Sequence, residues 1–425
     1  MTISNLPPKG TSDWFPQEYR IRKYIFDTWR SVCTRFGYEE YLTPVVESAE
    51  VYRAKSGEDI GGKELMTMTD RAGRELSLRP EMTPSVTRMV TRIYDSAPKP
   101  MRLFSIANFF RNEKPQRGRN REFWQLNADI FGSNSANADI EVLQLALEIM
   151  QSFNPPAGSF TMFINNRKLI DFILNQVAQV TEDQRTEVVR TLDKWEKLSR
   201  EDFVAKLVEI GLQSNQVEGL IKFMQSSNAQ ELIQNLPELA TNEGYQETQE
   251  IIEKLTSLGY GEWIKFQPNI IRGFDYYDGM VFEVFDNNPE NNRSMFGGGR
   301  YNGLARIFGA NSFPATGFAP GDETTRLFLE SWNLVPQDLK QEVYYVPLLS
   351  EDLYIQTTDI IKPLRNEGKN VIAGLEVQGV GKALDTGNKI AADFVIIFGE
   401  NEQSRGVYIL KDMNSGEQVE KQINN

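Results

Sequence analysis

The spacing of apolar and polar positions changes along the chain. From Gln17 to Phe36 the apolar residues Tyr19, Tyr24, Ile25, Phe26, Trp29, Val32 and Phe36 recur at helical spacing. Asp13 or the Phe15-Pro16 step is the expected start of this helix and Gly37 its stop. YEEYLTPVVES is an extended segment that Pro44 keeps out of a central ladder position. SGEDIGGKE is a glycine-rich loop, and ELSLRPEMTPSVTRMV is expected to run strand, bend, helix. MRLFSIANFFRNE and REFWQLNADIFG are two apolar strands joined by a basic loop, a hairpin, and ADIEVLQLALEIMQSF is a helix ending before NPPAG.

From about 160 to 260, glycines thin out and helix formers take over, with FTMFIN as a strand leading into a mainly helical insert. Glycines return in RGFDYYDGMVFEVF, the polar turn DNNPENNR and SMFGGGRYNGL, a second antiparallel hairpin. After LVPQDLKQ, strands and helices alternate through VYYVPLL, DIIKPLRNEG, KNVIAGL, KALDTGNKIAA, DFVIIFG and GVYILKD, as in a small α/β domain.

Composition narrows the class. A chain of 425 residues is long enough for roughly two to four domains. Its 46 basic and 59 acidic residues leave a formal charge of −13, which argues against general nucleic-acid coating but leaves room for a local basic surface. Histidine is absent, which excludes HExxH zinc sites, Ser-His-Asp and Cys-His nucleophile systems and imidazole general bases. The single cysteine, Cys33, excludes an internal disulfide and a thiolate metal cluster, and fits a reducing compartment. No apolar run approaches transmembrane length, and MTISNLPPKG lacks the features of a signal peptide. A cytoplasmic protein without a membrane partner is therefore expected. There is no GxxxxGK[ST] loop, so phosphates would have to be held by arginines and backbone amides.

FRNEKPQRGRNREFWQLNADIFG runs against the acidic total. It gathers Arg111, Lys114, Arg117, Arg119 and Arg121 around one acid, Glu113. On composition alone this is a solvated hairpin tip, although it lies between two apolar strands. Asp129 follows Gln125 by four residues, so on a strand both face the same way, and a carboxylate turned into a sheet face is costly unless paired. In RPEMT, Pro80 forces Arg79 extended, and the bland reading leaves Glu81 exposed at a strand end. Alternation in DYY puts Tyr276 and Tyr277 on opposite faces, so that one of them lines a pocket. GGGRY is either a flexible turn or a place of close backbone approach to a ligand.

Taken together, LPPKGTSDW, GYEEYLTPVVES, LRPEMT, FRNEKPQRGRNREFWQ, RGFDYY, GGGRYNGL and the C-terminal KALDTGNKIAADFVIIFGENE through GVYILKDMNSGEQ resemble the class II histidyl-tRNA synthetase family essentially from end to end. The resemblance implies an α+β fold: an antiparallel-sheet catalytic core in two parts, 1–158 with class motifs 1 and 2 and 263–336 with RGFDYY, GGGRY and motif 3. A mainly helical insertion, 159–262, would separate them, and an α/β anticodon-binding domain, 337–425, would follow. It implies ATP as a substrate with Mg2+, no zinc, and L-histidine, tRNA(His) and a second copy of the chain as partners, with the motif 1 strand carrying Pro44 at the dimer contact. Arg111 and Arg272 would be catalytic, acting on the α-phosphate and the reacting carboxylate where related synthetases use a metal ion. Arg111, Glu113, Arg119 and Phe123 would bind ATP, Phe123 stacking on adenine. Glu81, Thr83 and Gln125 would take the substrate's α-amino group. Asp129, Arg272, Tyr276, Tyr277 and Tyr301 complete the histidine set, with Tyr277 the family's choice from the adjacent pair. Lys114, Gln116 and Arg117 would meet the tRNA acceptor end.

The chain departs from the family at two places. The acid at position 129 is usually Glu, and here is the shorter Asp129. Motif 3 usually carries G-x-G-x-E-R, whereas GFAPGDETTRLFL keeps Glu323 but has Thr324 in the arginine's place. Arg326, two residues on, is turned about 200° away on a helix. The alternative weighed is a non-catalytic regulatory subunit of ATP phosphoribosyltransferase; such subunits lack the anticodon-binding domain and erode the catalytic arginines, both present here. From Gln341 onward 13 acidic residues stand against 8 basic, so any anticodon contact would rest on stacking, hydrogen bonds and a few placed cations.

Overall fold

The strongest alternation in the sequence builds the central hairpin. Met101–Phe110 and Glu122–Phe131 pair antiparallel, from Met101 opposite Phe131 to Phe110 opposite Glu122. The computed structural model describes residues 3–54, 59–271, 276–291 and 293–423. Within the unit Met1–Val335, this hairpin lies in an eight-stranded sheet. Its strands in spatial order are Glu39–Glu40, Met101–Phe110, Glu122–Phe131, Ala315–Phe318, Arg293–Arg300, Met280–Asp286, Phe160–Asn166 and Ile264–Phe266. The two edge pairs are parallel and the others antiparallel.

The period of two sorts side chains onto the faces of this sheet. Leu126, Ala128 and Ile130 point into a core with Ile25, Trp29, Leu143, Leu147 and Phe328, which come from the helices Pro16–Arg35, Ala136–Gln151 and Asp322–Ser331. Ala107, Phe109 and Phe131 join Met82, Val86, Tyr276 and Tyr301 on the other side. One face is thus closed by helices, while the other is left for a site.

Phe160–Asn166, expected as a lead-in to the insert, is a strand of the sheet, paired with Met280–Asp286 and Ile264–Phe266. Its partners lie about a hundred residues downstream, beyond the reach of local alternation. The helices from Arg167 to Leu255 bury their own cluster, including Leu192, Phe203, Leu220 and Phe223. Asn166, Ser199, Asn228 and Asn242 cap four of them by accepting backbone N–H groups.

The unit Pro336–Asn425 holds a five-stranded sheet in the order Asn370–Val377, Val343–Leu348, Phe394–Ile397, Val407–Asp412 and Gln418–Gln422. The first three are parallel and the last two antiparallel. The helix Tyr354–Asn366 covers one face through Ile360, Ile361 and Leu364, and Leu384 of Val380–Lys389 covers the other. The final strand was not expected: all five of its residues are exposed, so no apolar alternation announces it.

A buried ion pair fastens Ala136–Gln151 to the end of the sheet. The Arg300 guanidinium donates to both Asp139 carboxylate oxygens, at 3.1 and 2.9 Å, and to the carbonyls of Ser133 and Ser135. Both side chains are less than a tenth exposed. Asp139→Ala strands the guanidinium without its counter-charge and should cost about 3–5 kcal/mol in chemical denaturation. Asp139→Leu combined with Arg300→Met should recover most of that loss. Equal losses from the single and double changes would show that the helix contact, rather than the orphaned charge, sets the cost.

Candidate active site

On the open face of the sheet a cavity of about 350 Å³ is lined by Glu81, Thr83, Arg111, Gln125, Asn127, Tyr276, Tyr277, Glu283 and Tyr301, among others. A second, of about 400 Å³, is lined by Glu64, Arg111, Glu113, Arg119, Phe123, Gln125, Glu323 and Thr324 among others. Arg111, Gln125, Ser294 and Met295 belong to both. The two chambers therefore meet at the end of the central hairpin, with a guanidinium at the junction.

The first chamber is built by strand alternation and by a helix start. Gln125, Asn127 and Asp129 share the face opposite Leu126, Ala128 and Ile130. Asp129 does not reach the cavity wall. It lies beneath Tyr301, whose hydroxyl donates to its Oδ1 at 2.6 Å. Room for the carboxylate comes from Gly317, directly opposite on the neighbouring strand, where a Cβ would stand 2.0 Å from Asp129 Oδ1. The neighbouring Gly298 has a similar cause, since its Cβ would meet the Gly317 carbonyl at 2.3 Å. Close approach of backbone to backbone thus explains this glycine of the GGG run. Burial raises the Asp129 pKa to about 7, opposed by the Tyr301 hydrogen bond.

Glu81 and Thr83 stand where the chain turns into the helix Thr83–Thr91. Glu81 is buried and accepts a hydrogen bond from Tyr276 at 2.9 Å, which removes the bland reading of an exposed strand-end acid. Arg79 is also buried, donating to the carbonyls of Thr43 and Asn108. The expectation that only one of Tyr276 and Tyr277 lines the pocket is corrected. The strand begins at Met280, so alternation does not govern the pair, and both rings line the cavity with centroids 5.0 Å apart.

In the second chamber Arg111 donates to the Pro80 carbonyl at 3.1 Å and lies over the Phe123 ring at 5.0 Å. Burial lowers its pKa, while Glu81 and Glu113 nearby raise it. Burial raises the pKa of Glu113, helped by Glu64 and opposed by Arg111 and Arg119. The helix Asp322–Ser331 is held at this chamber by Asp322, which pairs with Arg22 at 2.7 Å and accepts the Trp124 backbone N–H at 3.0 Å.

The structure brings Glu81, Thr83, Gln125, Tyr276, Tyr277 and Tyr301 together in one chamber, Glu113, Arg119 and Phe123 in the other, and Arg111 in both. Lys114, Gln116 and Arg117 line neither; they are exposed on a loop closed by a bridge between Gln116 and Arg119. Arg272 lies outside the described residues. Asn127, Glu283 and Glu64 were not singled out from the sequence. Asn127 was legible, being a polar residue at the same alternation as Gln125 and Asp129. It is buried, and its Nδ2 has no partner among the described residues.

Residues 10–322 match the family model described as Histidyl-tRNA synthetase. The chain belongs to the histidyl-tRNA synthetase family. A relative from Leptospira biflexa, named histidine–tRNA ligase, is 38% identical over 96% of this chain and 93% of its own. One of the same name from Pyrococcus horikoshii is 37% identical over 98% and 96% respectively. The fold is that of a crystal structure titled histidyl-tRNA synthetase from Nostoc sp. PCC 7120, with a TM-score of 0.82 at 24% identity, covering 99% of this chain and 97% of that one. Thr324 gives its hydroxyl to the carbonyls of Met295 and Gly321, and Arg326 is spent on Glu323 and Glu330.

The raised Asp129 pKa sets a pH dependence. Its folded value lies above that of a free carboxylate. The stability tied to its proton is complete below the free-carboxylate range and is lost as pH rises through about 7. Asp129→Asn cannot ionise. Between about pH 5 and 8 the wild-type protein without substrates should lose stability relative to this variant, by at most on the order of a few kcal/mol. Urea melts across this range would show it; parallel curves for the two proteins would disprove the burial penalty.

Proposed function

We propose that the protein is a histidine–tRNA ligase, activating L-histidine with ATP to histidyl-adenylate and transferring histidine to the 3′ end of tRNA(His). The observation that carries this reading is the pair of chambers sharing Arg111. One offers acids, amides and tyrosine hydroxyls suited to a small zwitterion with an aromatic ring. The other offers an aromatic face beside a guanidinium, suited to a nucleotide.

In activation a carboxylate oxygen of histidine attacks the α-phosphorus, the bond to the bridging oxygen breaks, and pyrophosphate leaves. Arg111 stands where the two anions meet and stabilises the charge that gathers there, its planar fork fixed in advance. Arg272 is assigned to the same charge, on the reacting carboxylate and α-phosphate. Phe123 supports adenine, while Glu113 and Arg119 flank the nucleotide. Glu81, Thr83 and Gln125 hold the α-amino group; Tyr276, Tyr277 and Tyr301 select the imidazole, with Asp129 acting through the Tyr301 hydroxyl it accepts from. Among the described residues no group of three or more acidic or thiol side chains is placed to hold a metal ion, so Mg2+ is assigned to the triphosphate it arrives with. In transfer the terminal tRNA hydroxyl attacks the carbonyl carbon, AMP leaves, and a phosphate oxygen of the adenylate takes the proton. Lys114, Gln116 and Arg117 are assigned to the acceptor end, and the unit from Pro336 to the anticodon. A homodimer through the Pro44 segment and a cytoplasmic setting complete the reading. Among the described residues no helix is long and apolar enough to cross a membrane.

Histidine-dependent ATP–pyrophosphate exchange tests the first step. Arg111→Ala should lower its rate roughly a hundredfold or more, with the thermal midpoint little changed. A near-normal rate would remove Arg111 from the chemistry. Asp129→Asn should raise the KM for histidine at least about tenfold and that for ATP much less, because the amide can present a donor to the Tyr301 hydroxyl where an acceptor is needed and so turn that hydroxyl in the chamber. Equal rises for both substrates would make Asp129 a residue of the sheet rather than of recognition.

A further inference from the structure

The helix Asp322–Ser331 offers the nucleotide chamber no free cation: Thr324 lines it, and Arg326 is turned onto Glu323 and Glu330. A different guanidinium stands beside the chamber, on a side chain from the strand Arg293–Arg300. Arg293 crosses to the hairpin loop and donates from Nη1 to the Arg117 carbonyl at 2.7 Å. Its guanidinium packs on Gly118, where a Cβ would stand 2.6 to 2.8 Å from the Arg293 nitrogens and Cζ, and where φ is +76°. A side chain at 118 would both strain the turn and expel Arg293. Gly118, Arg119, Ser294 and Glu323 all line the chamber, so the Arg293 head group sits directly behind its wall.

The electrostatics around Arg293 lack a counter-ion. Burial lowers its pKa, and so do Arg117 and Arg119 close by; Asp286 and Glu323 oppose them. Among the described residues Arg293 forms no ion pair, and one carbonyl takes one of its five N–H donors. Arg119 is exposed and lies no nearer than 3.8 Å to Glu113. Guanidiniums gathered this way repel one another until an anion with several oxygens arrives, and planar forks suit phosphate oxygens.

We infer that Arg293 is a further nucleotide-binding residue, which with Arg119 grips the terminal phosphates of ATP and the pyrophosphate that leaves. The inference rests on the synthetase reading of the site. It separates from the adenine side, where Phe123 and Glu113 act: a nucleotide with one phosphate does not reach Arg293, and pyrophosphate alone does.

The test compares wild type, Arg293→Ala and Arg293→Lys in histidine-dependent ATP–pyrophosphate exchange, varying ATP, pyrophosphate and histidine in turn, with AMP as a competitive probe. Loss of one charge-assisted contact predicts KM values for ATP and for pyrophosphate raised about tenfold or more in Arg293→Ala. Histidine KM and AMP inhibition should stay within about twofold, and lysine should restore part of the loss because the charge returns without the fork. Equal weakening of AMP and ATP would overturn the inference, since Arg293 would then merely hold the loop. Unchanged ATP and pyrophosphate constants in Arg293→Ala would overturn it as well. Absence of exchange in the wild-type protein would instead defeat the synthetase reading on which it rests.

Discussion

A carboxylate buried in the face of a β-sheet has to be matched from every side, and Asp129 imposes that demand on this fold. It is 3% exposed, on a strand whose opposite face is occupied by helices. The strand next to it must present glycine, because any Cβ at Gly317 would overlap the carboxylate. The strand after that must deliver Tyr301 from its end so that a hydroxyl can donate. Three strands drawn from distant parts of the chain are thus held in register by one acid, and a slip of one residue would bury the charge against a side chain. The cost of holding it there appears as the pKa of about 7.

The same sheet separates two kinds of charge. The chain as a whole is acidic, at −13, so distant anions are not drawn to it by its net field. Arg111 and Arg119 line the second chamber, and Arg293 reaches across from its strand to the loop of Arg117 and Arg119, so that a short-range contact can outweigh the screened repulsion of the rest. Thr324 keeps a structural use there, tying the helix start to Met295, which is a task a longer cation could not perform by the same hydrogen bond.

What the sequence reveals follows from distance along the chain. The central hairpin, the helix Ala136–Gln151 and the C-terminal alternation were legible because period and turn chemistry are local. Tyr276 and Tyr277 were misjudged because where a strand begins is decided by pairing, here at Met280 opposite Asn166. Phe160–Asn166 looked like the opening of an insert for the same reason. The histidine-chamber side of Glu122–Phe131 could be read from Gln125 and Asp129, and the same alternation carried Asn127 unnoticed. The Arg22–Asp322 pair, the Gly317–Asp129 fit and the reach of Arg293 to Gly118 join positions more than 170 residues apart, and nothing in a one-dimensional pattern marks them.

A protein without histidine that selects histidine leaves the proton chemistry of recognition to few groups. The tyrosines around the chamber have their pKa values raised by burial, so their hydroxyls stay neutral and serve as donors or acceptors of fixed charge. Asp129, at about 7, changes state near neutrality. It stays off the cavity wall, so its state reaches the chamber through the Tyr301 hydroxyl that donates to it. Ionised, the acid fixes that hydroxyl as a donor turned inward, and the phenol oxygen is left to face the cavity as an acceptor. The shorter acid therefore acts by its burial rather than by its reach: Tyr301 covers it, and loss of that hydroxyl's hydrogen bond would leave a desolvated charge uncompensated.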